Sequence, residues 1–217
     1  MTLRKYFKLV FYLVVFVAQT WAAANPSVDF FRAVGVDNDR TVKELLAGGF
    51  DPNTANDKGQ VGLYLAMREE SWKVATALLA HPATRVDATT PADETPLMMA
   101  AMRGNAEWAQ RLLDRGAALN RAGWTPLHYA ASGTSGTSAA VVKLLLDRGA
   151  AIDAPSPNRS TALMMAARYG PQEAAELLLA RGADPKLRND RDLTAADFAR
   201  SAGRESLAVL LQAAAAR

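Results

Sequence analysis

Apolar positions in this chain come in short bursts separated by charged or glycine-containing breaks, and the bursts keep a steady pace. Leu-Leu pairs fall at Leu45-Leu46, Leu78-Leu79, Leu112-Leu113, Leu145-Leu146, Leu178-Leu179 and Leu210-Leu211, their first members 33, 34, 33, 33 and 32 residues apart. A second series, Thr95, Thr125, Thr161 and Thr194, opens alanine-rich bursts at intervals of 30, 36 and 33. Those intervals sum to three times 33, so a shortened link in one place is matched by an insertion in the next. The phrase Trp124-Thr125-Pro126-Leu127-His128-Tyr129-Ala130-Ala131 reads as a helix start, with Thr125 as N-cap and Pro126 in the first turn. Lys143-Leu144-Leu145-Leu146-Asp147-Arg148-Gly149-Ala150 reads as a helix end, closed by a glycine free to turn left-handed. The pattern predicts repeated pairs of helices, each too short to hold alone and apolar on a face that a neighbouring unit must cover.

Six units with a period near 33, one carrying the complete phrase Thr-Pro-Leu-His-x-Ala at Thr125–Ala130, form a repeat signature. Partial matches stand at Thr95-Pro96-Leu97-Met98-Met99-Ala100 and Thr161-Ala162-Leu163-Met164-Met165-Ala166. On these residues the chain resembles the ankyrin-repeat family from about Ser27 to Gln212. The resemblance implies an all-α solenoid of helix-turn-helix repeats joined by β-hairpin loops, about six repeats including caps. The units run near 27–53, 54–87, 88–120, 121–153, 154–184 and 185–212 within a domain of residues 25–212. A frayed tail is expected at 213–217. The second unit departs most, with Ala80-His81-Pro82 where a glycine is usual. The link Asn120-Arg121-Ala122-Gly123 is short, so its finger should be blunted. The run Ser132–Ser138 between the helices of the fourth unit is flexible by composition. The first and last units should be polar caps.

The net charge of +3 does not spread over the body. Arg4, Lys5 and Lys8 lie in the first 24 residues, which contain no acid, leaving 25 − 3 = 22 basic against 22 acidic residues. That balance gives no footprint for nucleic acid. Met1–Ala24 has a basic start, an apolar run over Leu9–Ala18 and a small-residue end at Ala22-Ala23-Ala24, the layout of a secretory signal peptide. Ten apolar residues fall short of the about 20 that a membrane-spanning helix needs. The expectation is cleavage before Asn25 and a periplasmic protein, most simply a monomer, with no membrane contact after cleavage. An uncleaved leader, making a membrane-anchored scaffold, is the competing arrangement.

Cysteine is absent, which excludes disulfides and thiolate chemistry. Two isolated histidines, His81 and His128, do not make a zinc site. No glycine loop precedes a helix to cradle phosphate, and Glu69-Glu70 and Asp93-Glu94 read as solvated acids. The methionines Met98, Met99, Met164 and Met165 read as gap-fillers between units, and His81 as a surface residue at a helix exit. The family resemblance implies that the His128 imidazole hydrogen-bonds neighbouring loop backbone. No catalytic residue, metal ligand or cofactor is expected, and an enzyme with an unrecognised surface site is the weaker alternative.

If the resemblance holds, binding falls to hairpin tips and to the inner face of each first helix. The candidate partner-binding residues are Arg68, Arg103, Trp124, Arg159, Arg168, Tyr169 and Arg191. Trp124 is the candidate aromatic anchor, with packing along its own hairpin stem as the competing reading. Arg68, Arg103 and Arg168 could form a basic strip facing an acidic partner, or serve solubility and helix ends. The function these residues point to is recognition of an unidentified protein partner without chemistry. Within that class, an accessory or inhibitor of a secreted enzyme is one form. Asn158-Arg159-Ser160 is a formal glycosylation acceptor in a eukaryotic source.

Overall fold

The computed structural model describes residues 25–217; the leader expected over residues 1–24 lies outside them. Twelve helices follow one another in six pairs among the described residues. They are α1 (Pro26–Gly35) with α2 (Asp39–Ala47), α3 (Gly62–Arg68) with α4 (Trp72–Ala80), and α5 (Pro96–Met102) with α6 (Ala106–Asp114). Then come α7 (Pro126–Ser132) with α8 (Ser138–Asp147), α9 (Ala162–Arg168) with α10 (Gln172–Ala180), and α11 (Ala195–Ser201) with α12 (Glu205–Ala215). First helices stack on first helices along the chain and second on second, so each pair touches chiefly its neighbours. No helix among the described residues is long and apolar enough to cross a membrane.

The core is a column of small and branched side chains repeated from pair to pair. In the second helices the buried sets are Val74, Ala75 and Leu78; Trp108, Ala109 and Leu112; Val141, Val142 and Leu145; Ala174, Ala175 and Leu178; and Leu207, Ala208 and Leu211. In the first helices Leu63, Leu97, Leu127 and Leu163 are buried with the alanines beside them. Each enclosed leucine contributes roughly 1.5–3 kcal/mol, and the alanines let backbones approach. The leucine pairs do not bury the same member throughout. Leu78, Leu112, Leu145 and Leu178 are the enclosed first members, but in the end units Leu46 and Leu211 go inward while Leu45 and Leu210 stay partly open.

Capping explains why helices of seven residues start where they do. Thr95, Thr161 and Thr194 accept hydrogen bonds from the backbone N–H groups of Met98, Met164 and Asp197. The third helical residue returns the bond: Met98 Sδ and Met164 Sδ accept from the threonine N–H at 3.4 Å each, and Asp197 Oδ2 does so at 2.9 Å. The methionines thus cap as well as fill. Second-helix ends turn on Gly116, Gly149 and Gly182, all left-handed with φ between 88° and 92°.

A column of loop side chains holds successive units in register. Asn53 Oδ1 accepts from Arg85 N–H, Asp87 from Ala118 N–H, Asn120 Oδ1 from Ala151 N–H and Asp153 from Asp184 N–H. The two asparagines also donate, to the carbonyls of Ala83 and Gly149. Arginines make a parallel ladder on the second-helix ends, Arg148 to Asp114 at 3.2 Å and Arg181 to Asp147 at 2.8 Å. Arg115, one unit earlier, finds Ala80 in the place of that aspartate and donates to the His81 carbonyl instead.

Four expectations change. The run Ser132–Ser138 is an ordered turn: Ser138 N–H bonds Ser135 carbonyl, and a Cβ on Gly104 of the preceding unit would meet Thr137 Oγ1 at 2.6 Å. His81 is half-buried, its Nδ1 enclosed without a hydrogen-bond partner. The alanine tail continues α12 to Ala215, past the expected limit at Gln212. The end units are not uniformly polar, since Val28, Val36 and Val209 are exposed. The loops between units form turned fingers with one isolated antiparallel bridge, Ala55 to Val61, among the described residues.

Candidate functional site

Four fingers share one construction. A backbone N–H at Asn56, Thr90, Ser156 or Asn189 bonds the carbonyl four residues on, at Gln60, Glu94, Ser160 or Leu193. The fourth residue of each is left-handed: Gly59, Asp93, Arg159 and Asp192, with φ of 70°, 61°, 58° and 59°. The short link at Asn120–Gly123 makes no such closure, so that finger is blunt, as its length predicted. Glycine or aspartate suits the left-handed slot; arginine at Arg159 is the costly choice.

His128 anchors the blunt finger. Its Nε2–H donates to Ser160 carbonyl at 3.0 Å, so Nδ1 is the acceptor for Thr125 N–H at 3.2 Å and Thr125 hydroxyl at 2.8 Å. Burial, the largest cause, holds the imidazole below its ordinary range despite the Ser160 carbonyl. A neutral, fully bonded ring is structural. Trp124 packs edge-on against it, ring centroids 5.3 Å apart, and is half-buried. The aromatic is therefore packed along its stem and only partly available as an anchor.

The three arginines at first-helix ends do not make a free basic strip. Arg68 pairs with Glu69 at 2.7 Å, and Arg103 lies 3.5 Å from Glu70 while donating to Arg68 carbonyl. Charge and a helix-end carbonyl account for both. Arg168 has no carboxylate partner among the described residues and lies over the ring of Tyr169, 5.3 Å from its centroid. Tyr169 is 52% exposed and Met102 is 44% exposed, on either side of the Ser132–Ser138 turn. Arg159 approaches Asp190 of the next finger at 4.0 Å, and Arg191 is exposed two residues from Asn189. The structure thus brings Arg168 with Tyr169, and Arg159 with the finger of Arg191, into two separate exposed groups.

A third group was not anticipated. Tyr64 hydroxyl donates to Glu94 Oε2 at 2.6 Å, and Tyr129 hydroxyl donates to Glu94 Oε1 at 3.1 Å. These residues are 30 and 35 apart in sequence. The only available signal was Tyr64 standing in the slot that holds histidine at His128. No cluster of three or more His, Cys, Asp or Glu side chains able to hold a metal occurs among the described residues. The glycosylation triplet is engaged in its turn: Asn158 Oδ1 accepts from Ser156 hydroxyl at 2.6 Å and from Ser160 N–H at 3.2 Å.

This arrangement defines a stack of helix pairs with fingers, whose exposed polar groups sit on tips and first-helix ends. The family model described as "Ankyrin repeats (3 copies)" matches residues 30–121, 74–155, 119–189 and 135–216, and the chain belongs to the ankyrin-repeat family. It is 42% identical over 105 residues to human "Ankyrin repeat and KH domain-containing protein 1", covering 46% of this chain and 4% of that protein. It is 33% identical over 117 residues to "Ankyrin repeat, SAM and basic leucine zipper domain-containing protein 1" of Dasypus novemcinctus, covering 51% and 24%. The chain thus spans a quarter or less of these curated relatives. Among solved structures, a chain of the complex titled "Bd0816 Predatory Endopeptidase from Bdellovibrio bacteriovorus in complex with immunity protein Bd3460" superposes with a TM-score of 0.71. That match has 23% identity and covers 85% of this chain and 97% of the other.

Proposed function

We propose that this chain is a non-catalytic recognition module that works after export, in the periplasm, by holding a protein partner against its fingers and first-helix ends. The family is one of interaction modules, and most apolar surface here is used between units, leaving an outer surface of polar groups with a few exposed apolar side chains for a partner. The observation that carries the reading is the paired exposure of Arg168 and Tyr169. A cation stacked on an aromatic ring, with no carboxylate to neutralise it, stands at the edge of the inner surface. Such groups are typical interface anchors because little side-chain freedom is lost on binding. The basic, apolar and small-residue order of Met1–Ala24 supports export.

A finer reading is inhibition of, or immunity to, a secreted peptidase. It is favoured by the solved neighbour being part of a complex between an endopeptidase and an immunity protein, matched over nearly its whole chain. Expression of the full reading frame, followed by crosslinking in the periplasm and recovery of the adduct, tests both. A stable adduct with one secreted enzyme, and loss of that enzyme's turnover in the adduct, supports them. A protein that stays in the cytoplasm, or one that turns over a substrate itself, contradicts them. Mass spectrometry of the purified chain checks the leader: a first residue at Asn25 is expected, and Met1 or Thr2 would favour the anchored scaffold.

A further inference from the structure

At the base of one finger a half-buried carboxylate, Glu94, has no ion-pair partner among the described residues. Glu94 ends the finger of the third unit, between the first helices of the second and fourth units that supply Tyr64 and Tyr129. Burial, and then the hydrogen bond to Glu94, push the Tyr64 phenol up to about 12. Burial, followed by the charge of Glu94, raises Tyr129 as well. Both phenols therefore stay protonated and donate. They are neutral donors, and a carboxylate accepts about four hydrogen bonds in all, so capacity and charge both remain.

The other acids nearby are matched. Glu69 has Arg68 at 2.7 Å, Glu70 has Arg103 at 3.5 Å, and Asp93 has Arg121 at 2.5 Å. Asp190 has Arg159 at 4.0 Å and Asp192 has Arg188 at 3.2 Å. Among the described residues no lysine, arginine or histidine nitrogen forms an ion pair with Glu94, although it is half-buried and so partly desolvated. Arg68 stands over the Tyr64 ring, 5.9 Å from its centroid, but is held by Glu69.

Stacking does not call for this charge. Tyr64 occupies in α3 the position of His128 in α7, and His128 reaches an uncharged acceptor, the Ser160 carbonyl of the following finger. The residues aligned with Glu94 at the ends of the other fingers are Gln60, Trp124, Ser160 and Leu193, all neutral. A glutamine at position 94 would accept from Tyr64 without a carboxylate to desolvate. A preorganised carboxylate held by two phenol hydroxyls, with the half-buried Tyr129 ring beside it and Tyr64 enclosed behind it, forms a receptor for an ammonium or guanidinium group by charge-assisted hydrogen bonding.

We propose that Glu94, framed by Tyr64 and Tyr129, receives a lysine or arginine side chain of the protein partner. The assignment rests on the recognition reading above and names the chemistry at its centre. A random peptide library selected on the immobilised full-length protein tests it. Peptides carrying a basic residue are expected, binding E94Q at least about 10-fold more weakly than the native protein. Replacing that basic residue by norleucine should cost as much against native protein and nothing further against E94Q. Carbodiimide coupling of a selected lysine peptide to native protein should place the new amide on Glu94 by mass spectrometry, which serves even if E94Q does not fold. Binders indifferent to E94Q, enrichment of acidic peptides, or coupling elsewhere would overturn the role of Glu94 and leave recognition standing. A library yielding no binder would count against both.

Discussion

Arg204 gives the sharpest stability prediction. It is the N-cap of α12, half-buried, and its Nη1 donates to the carbonyls of Ala166, Ala167 and Gly170 at 2.9, 3.0 and 2.8 Å. The Ala166 and Ala167 carbonyls lie in the last turn of α9 in the preceding unit, where intrahelical donors run out, and Gly170 follows its C-cap. Nη1 carries two hydrogens, so the three contacts amount to about two full charge-assisted bonds, each about 1.5–3 kcal/mol. Against about 3–6 kcal/mol of lost bonding stand regained side-chain entropy of roughly 1–2 kcal/mol and water reaching the freed carbonyls. The net expectation for R204M, which keeps the aliphatic stem, is about 2 kcal/mol. That corresponds to a fall in Tm of about 4–8 °C at this chain length. R204K keeps the charge without the fork and should lose about half as much. Urea unfolding followed by helical circular dichroism reads the change, and hydrogen exchange should show the loss first in α11 and α12. A decrease of less than about 0.5 kcal/mol for R204M would refute the reasoning.

Three further changes test the register and capping arguments. D153N should stabilise the protein by about 0.5–1.5 kcal/mol at neutral pH, because Asn53 and Asn120 in the same column also donate to a carbonyl. Burial is the main cause raising the Asp153 carboxyl, so its favourable contribution is present when protonated and is lost as pH rises through the raised value. The D153N advantage should therefore shrink in acid, and an advantage that grows in acid would count against it. H128M copies the Met98 and Met164 caps but drops the bond to Ser160, so it should cost about 1 kcal/mol at pH above 6.5. Since the imidazole is lowered, its stability contribution is complete above the unfolded value of 6.5 and declines as pH falls below it. H128M should flatten that decline in thermal melts. R159G should raise stability by about 1 kcal/mol by relieving the left-handed arginine, and a loss of stability would mean its contact with Asp190 outweighs the strain.

Much of the fold could be read from spacing because each unit repeats the same local signals. Thr95, Thr125, Thr161 and Thr194 were legible as helix starts, and Gly116, Gly149 and Gly182 as ends, since capping acts within a few residues. Which leucine of a pair turns inward was not legible at the ends, where Leu46 and Leu211 lack a covering neighbour on one side. The Asn53, Asp87, Asn120 and Asp153 column marked the expected unit ends, but its hydrogen bonds cross 31 or 32 residues and appear only once units stack. The same holds for the candidate site. The basic strip stayed open as a reading in sequence because Glu70 meets Arg103 only across a unit boundary, whereas Arg68 had its partner Glu69 beside it. Glu94 looked like an ordinary solvated acid because its two tyrosines come from units before and after it.

Photo-crosslinking residues placed singly around the stack test the central claim most directly. Positions 94, 103, 124, 168 and 169, on the fingers and first-helix ends, should capture the same periplasmic protein. Positions 143 and 173, exposed on α8 and α10, should capture none. Capture confined to the second-helix positions, or no capture from any position in a protein that instead turns over a substrate, would contradict the account.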